Sequence, residues 1–207
     1  MEISLNSAGK KYYREWIFRK TNISFSIGQN TVILGPNGSG KSTLLQVIAG
    51  AVLPNEGSLT YHDGRKEILP DNIYSHISFA SPYLELIEEF TLLEIIRFHF
   101  KFKKSIGKIS ENEILETTGL QKKSNQVFKY FSSGMKQRVK LALALLSDTS
   151  ILLLDEPCSN LDNNGVEWYQ QMIKSYSSDR IVIVASNQNE KEYSFCESKL
   201  NMVDFKS

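Results

Sequence analysis

Gly35-Pro36-Asn37-Gly38-Ser39-Gly40-Lys41-Ser42-Thr43 is the stretch that decides how the rest of the chain is read. A glycine, four residues, then Gly40, Lys41 and Ser42 is the spacing of a loop that wraps phosphates. Glycines let successive backbone N–H groups turn inward around phosphate oxygens, where a side chain would clash. The flanks suit this reading. Thr31 to Leu34 is a short β-branched apolar run that predicts a strand, and Ser42 to Ala49 predicts a helix ended by Gly50. A helix start presents free N–H groups and the positive end of its dipole to an anion. Lys41 adds a point charge for the β and γ phosphates, and Ser42 offers a hydroxyl to Mg2+.

Further along, Ile151 to Leu154 are four consecutive aliphatics, the pattern of a strand buried on both faces. Asp155 and Glu156 follow at its carboxyl end, where open parallel sheets bind ligands. Asp155 is placed to organise Mg2+ and its water shell, and Glu156 to accept a proton from an attacking water. Between loop and strand, Ser132 and Ser133 precede a helical pattern in which Met135, Val139, Ala142, Leu143 and Leu146 share one face. The serines therefore sit at a helix start, as a plain cap or as a second anion site.

In chain order, the phosphate loop, FSSGMKQR (Phe131 to Arg138), LLLDEP (Leu152 to Pro157) and SNLD (Ser159 to Asp162) resemble the nucleotide-binding subunit of ATP-binding cassette (ABC) proteins. The resemblance covers nearly the whole chain. FSSGM stands at the family signature, usually written LSGGQ: Phe131 replaces Leu, Ser133 the first Gly and Met135 the Gln, while Ser132 and Gly134 are kept. The resemblance implies one α/β domain over residues 1–207. Its parts are a P-loop NTPase core with a mostly parallel sheet, an N-terminal antiparallel β layer and a helical subdomain inserted at about residues 82–140.

The same resemblance implies an Mg-dependent ATPase with ATP and Mg2+ as cofactors. Gly35 to Thr43 would hold the phosphates, Ser42 and Asp155 the metal, and Lys41 and Glu156 would serve catalysis. Tyr12 takes the place of an aromatic that stacks on adenine, with Tyr13 and Trp16 as neighbouring rivals. Ser132, Ser133, Gly134 and Asp162 are implied nucleotide contacts, the signature closing over the γ phosphate bound to a second copy or a paired cassette subunit. A separate transmembrane permease subunit is the implied partner, which puts the chain at the cytoplasmic face of a membrane. Nucleic acid is not an expected partner.

Two positions depart from the family pattern. The strand Ile77 to Ala80 runs into Ser81 and Pro82, where the family ends the strand in a metal-touching glutamine. After Ile181 to Ala185 the sequence continues Ser186-Asn187-Gln188, so Asn187 stands at the position of the switch histidine. An amide donates a hydrogen bond but carries no proton or charge, which predicts slow hydrolysis. A nucleotide-gated clamp with little or no turnover remains open on these two departures. So does a soluble cassette protein outside transport, although such proteins typically add a second cassette, a long coiled coil or metal-ligand domains, and none is visible here.

Composition narrows the class. The 207 residues suffice for a sizeable core, and a formal charge of +1 argues against a general nucleic-acid binder. No apolar run approaches the roughly eighteen residues of a membrane span, and MEISLNSAGKK lacks the apolar core of a signal peptide, so the expectation is a soluble cytosolic chain. Cys158 and Cys196 lack metal or redox spacing and are expected as thiols. Ile3 to Leu5 and Ile23 to Ile27 predict opening strands, and Asp63-Gly64 within YHDGRKEI a hairpin turn. Thr91 with Glu94 and Ser110 with Glu113 are capping boxes for two helices, and Ile181 to Ala185 predicts a strand closing the core sheet. The first of those helices carries RFHFKFKK (Arg97 to Lys104), aromatics and positive charge that suit a membrane partner or a solvated amphipathic face.

Overall fold

In the computed structural model, which describes residues 1–206, the elements begin with β1 (Glu2–Tyr12), β2 (Glu15–Ser26), β3 (Thr31–Leu34) and α1 (Lys41–Ile48). They continue with β4 (Glu56–Asp63), β5 (Lys66–Glu67), β6 (Ile77–Ala80), α2 (Leu92–Phe102), α3 (Glu111–Thr118) and α4 (Ser133–Leu145). β7 (Ile151–Asp155), α5 (Asn163–Tyr176), β8 (Ile181–Ser186), α6 (Glu190–Tyr193) and β9 (Ser198–Asn201) complete the order. The chain divides into two compact units: Met1–Phe79 with Thr149–Glu156 and Ser177–Ser207, and Ala80–Asp148 with Pro157–Tyr176.

The first unit holds both sheets. β2, β1, β4 and β5 lie side by side in an antiparallel layer, and β6, β7, β8, β3 and β9 form the second sheet in that order. β3 runs parallel to β8 and β9, and β7 parallel to β8. All five residues of β7 and all six of β8 are buried, as the unbroken aliphatic runs require of strands covered on both faces. Ile3, Leu5, Phe18, Phe25 and Tyr61 from the antiparallel layer join Leu44, Leu45 and Ile48 of α1 in one core cluster. The Tyr61 hydroxyl donates to the carbonyl of Ile48 at 2.9 Å, satisfying an open acceptor at the end of α1. Burial raises the Tyr61 pKa, so that phenol stays a donor.

Three sequence readings shift. Ile181 to Ala185 does not close the sheet: β8 lies between β7 and β3, and β9 is the edge strand beyond β3. β9 was illegible because its Ser-Lys-Leu-Asn pattern buries only part of each second residue. The hairpin turn sits one residue later than Asp63-Gly64, since Asp63 pairs with Lys66 and leaves Gly64 and Arg65 as the loop. β1 and β2 also run far beyond the runs Ile3 to Leu5 and Ile23 to Ile27 that announced them, carried by ladder bonds to each other through polar residues such as Lys10 and Thr21.

At the opposite end of the parallel sheet from its loops, Arg180 is buried and binds three strands together. Its Nε donates to the Thr149 carbonyl at 2.8 Å, and Nη2 to Ser78 Oγ at 2.9 Å and Thr149 Oγ1 at 2.5 Å. Charge-assisted bonds of this kind are the stronger ones, and losing their donor strands buried acceptors. Arg180→Met is expected to lower unfolding free energy by about 3 kcal/mol. Urea denaturation would read this as a lower midpoint at an unchanged slope.

The second unit is helical. Both expected capping boxes form: Thr91 Oγ1 accepts from Glu94 N and Ser110 Oγ from Glu113 N, with each glutamate returning to its cap's backbone N–H. Those hydrogen bonds hold both glutamate carboxyls below their ordinary pKa. The unit is wider than a block at 82–140, because α4 continues to Leu145 and α5 belongs to it as well.

Candidate functional site

Register brings the first unit's chemistry to one sheet edge. Leu34, the last residue of β3, pairs with Ser186, the last of β8, and Asp155, the last of β7, pairs with Ala185. Three neighbouring strands therefore end together, and their next residues are the glycine loop, Glu156 and Asn187. Parallel strands of an open sheet expose a crevice at their carboxyl ends, which is where α/β proteins bind ligands.

Gly40 caps α1 with φ 103° and no side-chain acceptor, so no side chain competes for the first-turn N–H groups. A Cβ at Gly40 would lie 2.3 Å from Ile17 Cγ2, so only glycine fits there. Lys41 is 5% exposed and folds its ammonium back over the loop, donating to the carbonyls of Gly35 at 2.8 Å and Pro36 at 3.1 Å. Pro36, Asn37 and Gly38 are exposed at the rim, and Ser42 and Thr43 half-buried on the first turn. Ser39 Oγ is buried without a hydrogen-bond partner. The loop thus combines open backbone donors with a cation reaching in from the helix, a set that fits an anion with several oxygens.

Asp155 is buried at the end of β7, while Glu156 is half-exposed. Glu156 has φ 42°, unusual for a residue with a Cβ, and its N–H donates to the Ala185 carbonyl at 2.9 Å. Backbone held in that region costs about 1 kcal/mol or more and persists where surroundings over-determine it, often at functional sites. Among the described residues no three His, Cys, Asp or Glu side chains converge on a metal-sized site. Ser42 on the first turn of α1 and Asp155 at the end of β7 would each offer an oxygen to Mg2+, a cation that keeps waters and substrate phosphates among its ligands.

In the second unit, Ser132 caps α4 by accepting from Met135 N at 3.3 Å, and Ser133 is the first helical residue. A Cβ on Gly134 would stand 2.7 Å from the Asn160 carbonyl oxygen, so the close approach of that backbone demands glycine. Ser132, Ser133, Gly134, Asn160 and Asp162 line one cleft of about 440 Å3. Asp162 Oδ1 accepts from Gly165 N at 2.7 Å, which makes it the cap of α5 as well. Gln137 is buried and donates to the Pro157 carbonyl at 3.1 Å, tying the α4 turn to the segment after Glu156.

A family model described as ABC transporter matches residues 18–159. The chain belongs to that family. The ABC transporter ATP-binding protein YybJ of Bacillus subtilis (strain 168) is 33% identical over 190 residues, 87% of this chain and 84% of that protein. The sulfate/thiosulfate import ATP-binding protein CysA of Mesostigma viride is 30% identical over 199 residues; they cover 93% of this chain but 57% of CysA. The ATP-binding cassette MJ0796, solved as a dimer bound to ADP and Pi, superposes with a TM-score of 0.81 at 27% identity, over 96% of this chain and 93% of that one.

Other candidate residues of this ABC chain separate by environment. Tyr12 ends β1 at 42% exposure with the Lys10 ammonium 5.3 Å from its ring centroid. Tyr13 is fully exposed in the turn, and Trp16 lies between Lys11 and Arg19, at 5.2 and 4.5 Å, so its face is already occupied. Asn187 is exposed directly after the buried Ser186. Ser81 Oγ accepts from Tyr83 N at 3.3 Å, and Lys140 Nζ donates to the carbonyls of Ser81 at 3.3 Å and Pro82 at 2.6 Å. The departed glutamine position is therefore a turn clamped by a lysine of α4. Burial, with Lys136 nearby, lowers the Lys140 pKa.

Sequence reading missed the walls of the loop. Ile17 of β2 and Met202, just past β9, press on the Gly35 to Gly40 stretch: Met202 Cβ lies 3.2 Å from where a Gly35 Cβ would be, and its Cε 3.2 Å from a Gly40 Cβ. Neither has a local pattern that marks it. Glu192 and the Ser186 hydroxyl were also missed: the stretch from Ser186 to Glu192 is polar throughout, so no local pattern marks the one glutamate in it that is buried.

Proposed function

We propose that the chain is the ATP-binding and ATP-hydrolysing subunit of an ABC transporter, powering a separate transmembrane partner through ATP-driven dimerisation. The observation that carries this is the common ending of β3, β7 and β8, which sets the glycine loop, the Asp155-Glu156 pair and Asn187 at one sheet edge. Lys41 and the N–H groups of α1 bind and orient the triphosphate, and Tyr12 offers a ring to the adenine. Glu156 takes the proton of the attacking water, and the Asn187 amide donates to the transferring phosphoryl group. Ser42 and Asp155 would hold Mg2+, which would supply charge neutralisation at the phosphates. Ser132, Ser133, Gly134 and Asp162 of one copy close over nucleotide held by the other, a reading supported by the dimeric state of the related MJ0796 cassette.

For the membrane partner, the second unit carries an apolar groove of about 220 Å3 lined by Leu86, Ile87, Phe90, Phe98 and Phe102 among others. Phe90, Phe98 and Phe102 stack edge to face at 5.7 and 5.1 Å, and Phe102 remains 71% exposed. An aromatic ridge left open in this way suits a partner's apolar segment. His99 at the same groove is held neutral, its pKa pushed down to about 4 by burial and by Lys103. Among the described residues no helix is long and apolar enough to cross a membrane.

Steady-state phosphate release from purified protein with Mg-ATP tests the reading. Wild type is expected to turn over slowly, and Asn187→His to raise kcat by about tenfold or more, since an imidazolium adds charge to a donor already in place. If wild type binds ATP yet releases no phosphate, alone or with a copurified membrane protein, the chain is a nucleotide-gated clamp. Recovery with ribosomes or DNA in place of a membrane protein overturns the transport role.

A further inference from the structure

We propose that Ser186 and Glu192 are positioning residues for Asn187, locking the turn that aims its amide at the phosphoryl group. The proposal rests on the role of Asn187 given above.

Ser186 ends β8 with no exposed surface, and its hydroxyl makes two bonds of opposite sense. Its Oγ donates to Glu192 Oε2 and accepts from the Asn189 N–H at 3.3 Å. A hydroxyl has a single proton, so committing it to the carboxylate turns a lone pair toward Asn189. Glu192 thereby sets the rotor that closes the turn. Asn187 and Gln188 are the two residues caught between the anchors, and Gln188 is held at φ 60°, a left-handed conformation that surrounding contacts must enforce. The exposed Asn187 side chain is the group this turn presents, one residue beyond the Ser186–Leu34 pair that borders the glycine loop.

Glu192 is itself 4% exposed on the short helix α6. Taking a carboxylate out of water is expensive, and an apolar side chain would fill the same place more cheaply if packing were its whole purpose. The demand for order follows from the chemistry of asparagine. A neutral amide has its donor on one side and its acceptor on the other, and its hydrogen bond weakens steeply off axis. A charged imidazolium tolerates misplacement better because its Coulomb attraction falls off slowly with angle and distance. A cassette that uses Asn187 at this position therefore needs the rigid turn that Ser186 and Glu192 provide.

The test is a cycle of ATPase measurements on the full chain: Glu192→Ala, Glu192→Gln, Ser186→Ala, Asn187→Ala and the Asn187→Ala/Glu192→Ala pair. Glu192→Ala is expected to lower kcat about tenfold while KM for Mg-ATP stays within about twofold, because misaimed groups cost rate more than binding. Glu192→Gln keeps an acceptor oxygen and recovers most of the rate. In the Asn187→Ala background Glu192→Ala causes no further loss. Multiplying losses in the double variant, or failure of the Gln variant to recover rate, overturns the positioning role. A wild-type rate for Glu192→Ala beside a slowed Asn187→Ala overturns positioning alone. An unslowed Asn187→Ala overturns the role of Asn187 and this proposal with it. Should Glu192→Ala fail to fold, Ser186→Ala in place of it runs the same cycle.

Discussion

Glu156→Gln is expected to leave ATP binding at wild-type strength, cut phosphate release by about a thousandfold, and convert the protein to a stable dimer at saturating Mg-ATP. The substitution is nearly isosteric, and the backbone N–H that anchors this residue to the Ala185 carbonyl is untouched. Shape and local strain at φ 42° are therefore retained, and what disappears is the ability to accept a proton. General bases contribute on the order of a hundred- to ten-thousandfold, so a loss in that range assigns the base. In the proposed cycle opening of the dimer follows hydrolysis, so blocking hydrolysis is expected to accumulate the closed form. Light scattering with and without Mg-ATP reads the dimer directly; a variant that stays monomeric at saturating nucleotide counts against the two-copy site, and one that still turns over counts against Glu156 as base.

Lys41→Ala is the second large effect. It removes the only side-chain cation on α1 and also the donor that bridges Gly35 and Pro36. ATP affinity is expected to fall by about a hundredfold or more, with turnover at background, because charge-assisted bonds to phosphate are among the strongest a side chain makes. Stability is expected to drop by only about 1–2 kcal/mol, the scale of two lost hydrogen bonds. Lys41→Arg serves as the control for charge alone: a planar fork does not fit a buried point-charge position, so it is expected to restore little. Calorimetric titration with Mg-ATP separates these outcomes, and wild-type affinity in Lys41→Ala would remove the loop from the binding site.

Much of this was written locally. The strand before the loop, the helix after it, the fully buried β7 with Asp155 and Glu156 at its end, both capping boxes and the Ser132 cap of α4 all follow from patterns within a dozen residues. Each depends on short-range rules: glycine at a crowded loop, a hydroxyl three residues before a glutamate, an unbroken aliphatic run. The polar half of β1, the edge strand β9 and the central place of β8 were not legible in that way. Strand pairing partners are set by which backbones meet, and residues such as Lys10 and Ser198 carry no preference strong enough to announce it.

The site divides along the same line. By itself the amino-acid sequence determined which chemical groups this protein has to offer a nucleotide: the glycine loop with Lys41 and Ser42, the adjacent carboxylates, the serine-capped helix, and an asparagine where the family carries histidine. Tertiary structure alone decided how they are held. It placed Ile17 and Met202 against the loop from opposite ends of the chain and drew Lys140 over Ser81 and Pro82. Those contacts join residues whose side chains have no shared period or motif, so they exist only once the sheet has brought distant segments together, and the free energy that fixes them is burial and hydrogen bonding in the assembled core rather than local propensity.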